Sequence, residues 1–136
     1  MPTVVKPLLA VVAGGMLGTG LRLAVDTALP HGGADFPLGT LLVNLAGAFL
    51  LGLLVARVWP VAPDWLRAGL GAGLLGSFTT FSALAVSAVE LTASGAVGAA
   101  IAYLAASLVG GLAAAFLGIR LGSRAAHPRP PIEADE

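Results

Sequence analysis

Cysteine is missing from all 136 residues, so disulfides, thiolate metal sites and cysteine nucleophiles are excluded, while the redox compartment stays open. Charge is scarce too. Lys, Arg, Asp and Glu make up 10% of the chain, against roughly a quarter in an average soluble domain. Seven basic and seven acidic residues cancel, which points to neither nucleic acid nor a polyanionic surface as partner. Histidine occurs only at His31, in a loop, and His127, in the tail. No acid/base pair meets a nucleophile within the apolar segments, which argues against an enzyme.

What is abundant is apolar surface. Hydrophobic residues make up 57% of the chain and the mean hydropathy is +0.95. A helix needs about 20 apolar residues to cross the hydrocarbon of a bilayer, and four such stretches fit between Pro7 and Leu121. They run over about 7–29, 38–58, 66–91 and 96–121. The expectation is an all-α membrane protein of four transmembrane helices, with residues 1–124 as one transmembrane domain and 125–136 as a disordered polar tail. The apolar run after Lys6 outlasts the core of a secretory signal and is read as a retained span. Breakers separate the spans: Pro30 to Asp35 after the first, and Arg57, Trp59 and Pro60 after the second, the mixture expected at a membrane interface.

Glycine punctuates the spans. Gly14 and Gly18, like Gly69 and Gly73, follow the small-xxx-small spacing that lets transmembrane helices approach closely. Four short helices enclose little by themselves, so a solute pathway calls for a second copy or a partner chain.

Polar groups at membrane depth are costly, and function is sought there first. Arg22, late in the first span, can snorkel to the headgroups or supply positive potential at the mouth of a pathway. The Asn44 amide can bond another helix or hold an anion through its NH₂ group. In the third span, Gly76 is followed by Ser77, Phe78, Thr79, Thr80, Phe81 and Ser82. Either the helix opens there, exposing carbonyls for a cation and a half-helix N-terminus for an anion, or the hydroxyls bond back along a continuous helix. Tyr103 and Ser107 lie four apart, on one helical face, and Gly111 follows one turn later.

Three of these segments, in order, resemble the fluoride channel family called Fluc or CrcB: Gly18-Thr19-Gly20-Leu21-Arg22, Gly39 to Phe49, and Gly73 to Ser82 with its Thr79-Thr80-Phe81-Ser82 ending. The resemblance covers the whole four-span region. It implies an antiparallel dimer with two fluoride pores, a third helix broken mid-membrane, and a structural sodium ion held by main-chain carbonyls, here those of Gly76 and Thr79. It implies a fluoride pathway along Asn44, Phe81, Tyr103 and Ser107, with Thr40 and Arg22 toward a vestibule and Phe78 in packing. Phenylalanine ring edges carry partial positive charge and suit a small anion. Two pore positions depart from the family pattern: Leu84 stands where a second phenylalanine is common, and Ser87 where a glutamate is common. Gly111 stands where the family has a second track hydroxyl.

The implied function is passive export of fluoride from the cytoplasm through the inner, plasma membrane. Lys6, Arg57, Arg67, Arg120, Arg124 and Arg129 gather on one side of a four-span topology, which places both termini in the cytoplasm. An antiparallel dimer needs the opposite orientation as well, which leaves two alternatives: a homologous second chain as partner, favoured by the charge bias, or copies of this chain inserted both ways. A small proton-coupled multidrug transporter would need a membrane-embedded carboxylate, and only Asp26 and Glu90 approach the spans, both near their ends. A non-transporting membrane scaffold would need glycine packing alone.

Overall fold

The computed structural model describes residues 2–32 and 35–124; the tail at 125–136, with His127 and Arg129, lies outside them. The described residues are helical apart from short connections. In order they form α1 (Pro2–Ala28), α2 (Leu38–Arg57), α3 (Asp64–Ala68), a π-helical stretch (Gly69–Leu75), α4 (Gly76–Phe78), α5 (Phe81–Ala93) and α6 (Val97–Arg124). Four spans are long and apolar enough to cross a membrane: Val4–Ala28, Leu38–Arg57, Asp64–Ala93 and Val97–Ser123. The third is the broken one, assembled from α3, the π stretch, α4 and α5.

The span boundaries follow from local chemistry. The first helix begins ahead of Pro7, where the sequence pattern starts it: Pro2 takes the first helical position, where a missing N–H costs nothing, and Pro7 lies inside the helix. Pro63, in extended conformation, stops the preceding loop, and Asp64 then sits in the first turn of α3, where the helix dipole favours an acid. The turn from α5 into α6 needs Gly95 at φ +83°, a left-handed conformation open to glycine. There the Ala96 N–H reaches back to the Leu91 carbonyl at 2.9 Å, closing the end of α5.

The helices do not pack in chain order. The first seam joins α1 to the π-helical stretch. A Cβ at Gly14 would sit on the Gly69 carbonyl and one at Gly18 on the Leu74 carbonyl. From the other side, a Cβ at Gly73 would come within 2.7 Å of the Val11 carbonyl oxygen. The two small-xxx-small pairs seen in the sequence are thus partners of each other. A second seam joins α2 to α6, where Gly52 faces the Ala115 carbonyl and Gly118 the Phe49 carbonyl. Lipid gives no hydrophobic drive between helices, so backbone contact of this kind is what holds such a bundle together. Most large apolar side chains, among them Leu8, Met16, Leu108 and Leu112, face outward. The small buried cluster is Leu91, Ala100 and Tyr103, with Phe36, Leu41 and Leu84 packed on it.

Candidate functional site: the broken third span

The π-helical stretch leads into the break. The Gly76 N–H is shared between the Gly71 carbonyl, five residues back, and that of Gly73, so the helix is already wider than an α-helix before it opens. Thr79 (φ −77°, ψ 156°) and Thr80 (φ −148°, ψ 118°) are then extended. Of the two alternatives open from the sequence, the helix opens.

Three side chains hold it open. The Asn44 amide pairs with the Thr80 peptide as a neighbouring strand would: the Thr80 N–H donates to Oδ1 at 2.8 Å, and Nδ2 donates to the Thr80 carbonyl at 2.9 Å. Asn44 therefore does bond another helix, and it does so at the break itself. The Thr80 hydroxyl caps α5 by accepting the Ala83 N–H at 3.1 Å, as a helix-starting threonine commonly does. Thr79 is pinned to the Leu75 carbonyl by its N–H at 3.0 Å and by Oγ1 at 2.9 Å. Its methyl rests on Gly47 of α2, where a Cβ would collide with it.

This arrangement redirects two donors. In a continuous helix the Thr80 N–H would bond to the Gly76 carbonyl and the Ala83 N–H to the Thr79 carbonyl. Here they go to Asn44 Oδ1 and Thr80 Oγ1. The carbonyls of Gly76 and Thr79 are left without their helical partners, in a segment where hydrocarbon offers no substitute.

Two clefts approach the break. A groove of about 780 Å³ runs from Trp59 and Arg67 past Gly71 to Asn44, Gly76 and Thr79. A separate hollow of about 340 Å³ is lined by Arg22, Asp26, Thr80, Ser82, Ala83 and Val86. Arg22 is thereby brought to the hydroxyl pair of Thr80 and Ser82, whose oxygens are 3.1 Å apart. Asp26 and Glu90 are exposed on the protomer and lie close to the ends of α1 and α5, at Ala28 and Ala93. Phe81, the first residue of α5, is 81% exposed and projects from the protomer.

The hydroxyls of α6 lie apart from the break. Tyr103 is fully buried, Phe36 meets its ring edge-on at 5.6 Å between centroids and 88° between planes, and Leu84 packs in the same cluster. Ser87 and Thr40, both buried, present their hydroxyls beside that of Tyr103. The hydroxyls of Tyr103 and Ser107 are buried with no hydrogen-bond partner of good geometry. Tyr103 and Ser107 lie four apart on the continuous helix α6 with Thr40 beside Tyr103, while Arg22 lines the hollow at the break. Beyond Ser107, a Cβ at Gly111 would meet open space.

Sequence reasoning passed over Gly47 as the seat of Thr79, the Thr80 hydroxyl as a cap, and Phe36 against Tyr103. A threonine three residues before a free helical N–H was the available signal for the cap. Nothing local marks Gly47 or Phe36.

The fold and its site define a multi-pass membrane protein with a polar opening in mid-span. Residues 9–119 match the family described as CrcB-like protein, Camphor Resistance (CrcB). The chain is 42% identical over 130 residues to the "Fluoride-specific ion channel FluC 2" of Halalkalibacterium halodurans, covering 95% of each. It is 43% identical over 120 residues to the "Fluoride-specific ion channel FluC" of Rhodospirillum centenum, covering 85% of this chain and 94% of that one. It is 47% identical over 112 residues to the protein of the same name from Anaeromyxobacter dehalogenans, covering 80% and 89%. The chain belongs to the CrcB family.

Proposed function

We propose that this chain is one subunit of a fluoride channel that lets fluoride leave the cytoplasm passively and so limits its toxicity. The observation that carries the reading is the opened third span, held by Asn44 and bordered by two clefts, in a chain whose relatives described above are named as fluoride-specific ion channels. The anion path runs past Arg22 and the Thr80 and Ser82 hydroxyls, the edge of Phe81, the unused N–H of Asn44, and the buried hydroxyls of Thr40, Tyr103 and Ser107. Leu84 and Ser87 make this filter less aromatic and less acidic than the family pattern.

A sodium ion at the break is part of the proposal. Sodium prefers hard oxygen donors, and the Gly76 and Thr79 carbonyls, stripped of their helical partners, are of that kind. Bound there, it would supply positive charge at the centre of the assembly without an ionisable side chain. Two carbonyls from one protomer are a partial shell, and a second protomer crossing at the same point completes it.

The assembly proposed is an antiparallel dimer in the inner, plasma membrane. Lys6 stacks over Trp65 at 4.8 Å, so the starts of α1 and α3 share one end of the bundle. Arg57, Arg67 and Arg120 add to the basic residues proposed to hold that end, and both termini, in the cytoplasm. In such a dimer the exposed Phe81 faces an oppositely oriented neighbour, which a homologous second chain supplies. Residues 1–124 form the channel domain, followed by the polar tail 125–136.

The test is fluoride and chloride efflux from liposomes containing this chain, with and without a neighbouring homologue. Selective fluoride efflux that requires the companion supports the whole reading. Full efflux from this chain alone removes the companion, and fluoride uptake abolished by collapsing a proton gradient removes the channel.

A further inference from the structure

We infer that Asn44 and the Thr80 hydroxyl are positioning residues for the cation: they compose its carbonyl site by drawing away the two N–H groups that would otherwise occupy it. The inference rests on the proposed sodium site and assigns two side chains that do not themselves touch the ion. The Gly76 carbonyl has two possible claimants, the Thr80 N–H and a cation. Asn44 Oδ1, at 2.8 Å from the Thr80 nitrogen, removes the first claimant, and Nδ2 satisfies the Thr80 carbonyl in the same stroke. The Thr79 carbonyl is likewise contested by the Ala83 N–H, which the Thr80 hydroxyl takes at 3.1 Å.

Remove Asn44, and the Thr80 N–H has no partner in a medium that tolerates none. Its nearest remedy is to wind Thr80 back from its extended conformation into the helix and recapture the Gly76 carbonyl. Remove the Thr80 hydroxyl, and the Ala83 N–H is left to the Thr79 carbonyl in the same way. In either case the ion must compete with a hydrogen bond. Its apparent affinity falls by the fraction of molecules in which the carbonyls remain free. Asn44 is thus a switch in helix register as well as a pore residue, and its two roles are separable by the ion that reports them.

The experiment measures thermal unfolding of the purified full-length chain in lipid nanodiscs, titrated with sodium chloride against a potassium chloride control. The reported quantity is the sodium concentration giving half of the maximal protection. For Asn44→Ala and Thr80→Val it is expected to rise about tenfold or more relative to the unsubstituted chain, while Thr80→Ser, which retains the hydroxyl, restores it. A purely structural role would lower the unfolding temperature in potassium and leave the half-protecting sodium concentration where it was; that result overturns the inference. If Asn44→Ala does not fold, the Thr80→Val and Thr80→Ser pair decides alone. Absence of sodium-specific protection in the unsubstituted chain would defeat the sodium site itself, a failure distinguishable from unaltered protection in the variants.

Discussion

Replacing Gly47 with alanine tests whether α2 is fitted to the break. The added Cβ would fall on the Thr79 methyl, with the Thr79 Cβ at 3.6 Å and Phe78 Cδ1 at 3.7 Å closing the remaining room. Thr79 cannot simply rotate, because its N–H and its Oγ1 both bond to the Leu75 carbonyl. Forcing an extra carbon into packed surroundings costs about 1–3 kcal/mol. Turning the hydroxyl off Leu75 forfeits roughly another 1 kcal/mol. The expected loss is therefore about 2–4 kcal/mol, less whatever alanine recovers from glycine's poor helix propensity, roughly 1 kcal/mol. The assay is reversible unfolding in SDS and mixed micelles, run as a cycle with Thr79→Ser, which deletes the offending methyl and keeps the hydroxyl. In the Thr79→Ser background the Gly47→Ala penalty should shrink by about 1–3 kcal/mol, a coupling typical of residues in contact. Gly111→Ala, which meets open space, is the control. Should Gly47→Ala cost no more than Gly111→Ala, or should Thr79→Ser leave the penalty intact, the placement of α2 against the break is wrong.

Gly14→Ala and Gly18→Ala should each destabilise by about 2–4 kcal/mol, since their Cβ atoms meet backbone carbonyls of the third span that cannot yield as side chains do. Gly20→Ala, facing nothing within 4 Å, should be neutral or slightly stabilising in the same unfolding assay. Trp59→Phe removes a buried indole N–H that has no partner, so it should leave stability unchanged or raise it by about 1 kcal/mol. Gly111→Ser places a hydroxyl one turn beyond Ser107 without crowding, and it should raise fluoride efflux from liposomes while leaving the unfolding midpoint in place; unchanged efflux would remove the α6 hydroxyls from the path.

The four spans were legible because the bilayer imposes a length and an apolarity that any stretch of sequence either meets or fails. The break was legible in place, from Gly76 and the hydroxyl run, but its geometry was not. Asn44 lies 36 positions from Thr80, and no periodicity links a residue in one span to a peptide group in another. Glycine spacing announced close approach at Gly14–Gly18 and at Gly69–Gly73, yet spacing is silent on partners; only three dimensions pair the two. The π-helical stretch has no signature apart from its glycines, which many ordinary transmembrane helices also carry. Tyr103 and Ser107 were placed on one face correctly because a helix fixes that relation locally. Phe36 against Tyr103 depended on the path of a loop, which helical periodicity does not describe.

The order of the two seams bears on how the chain is made. The first span finds its partner in the third, and the second finds its partner in the fourth. A ribosome delivering spans one after another therefore places the first two in the bilayer with their glycine faces unmatched. The first seam closes only once the third span is inserted, and the second only after Val97–Arg124 has left the exit tunnel. Until the third span is inserted, Asn44 has no Thr80 to hold, and its amide travels through lipid as an unsatisfied load. Completion of the fourth span is thus the event that allows the second to settle, and a chain interrupted before it would present bare glycine grooves to the cell's membrane quality control.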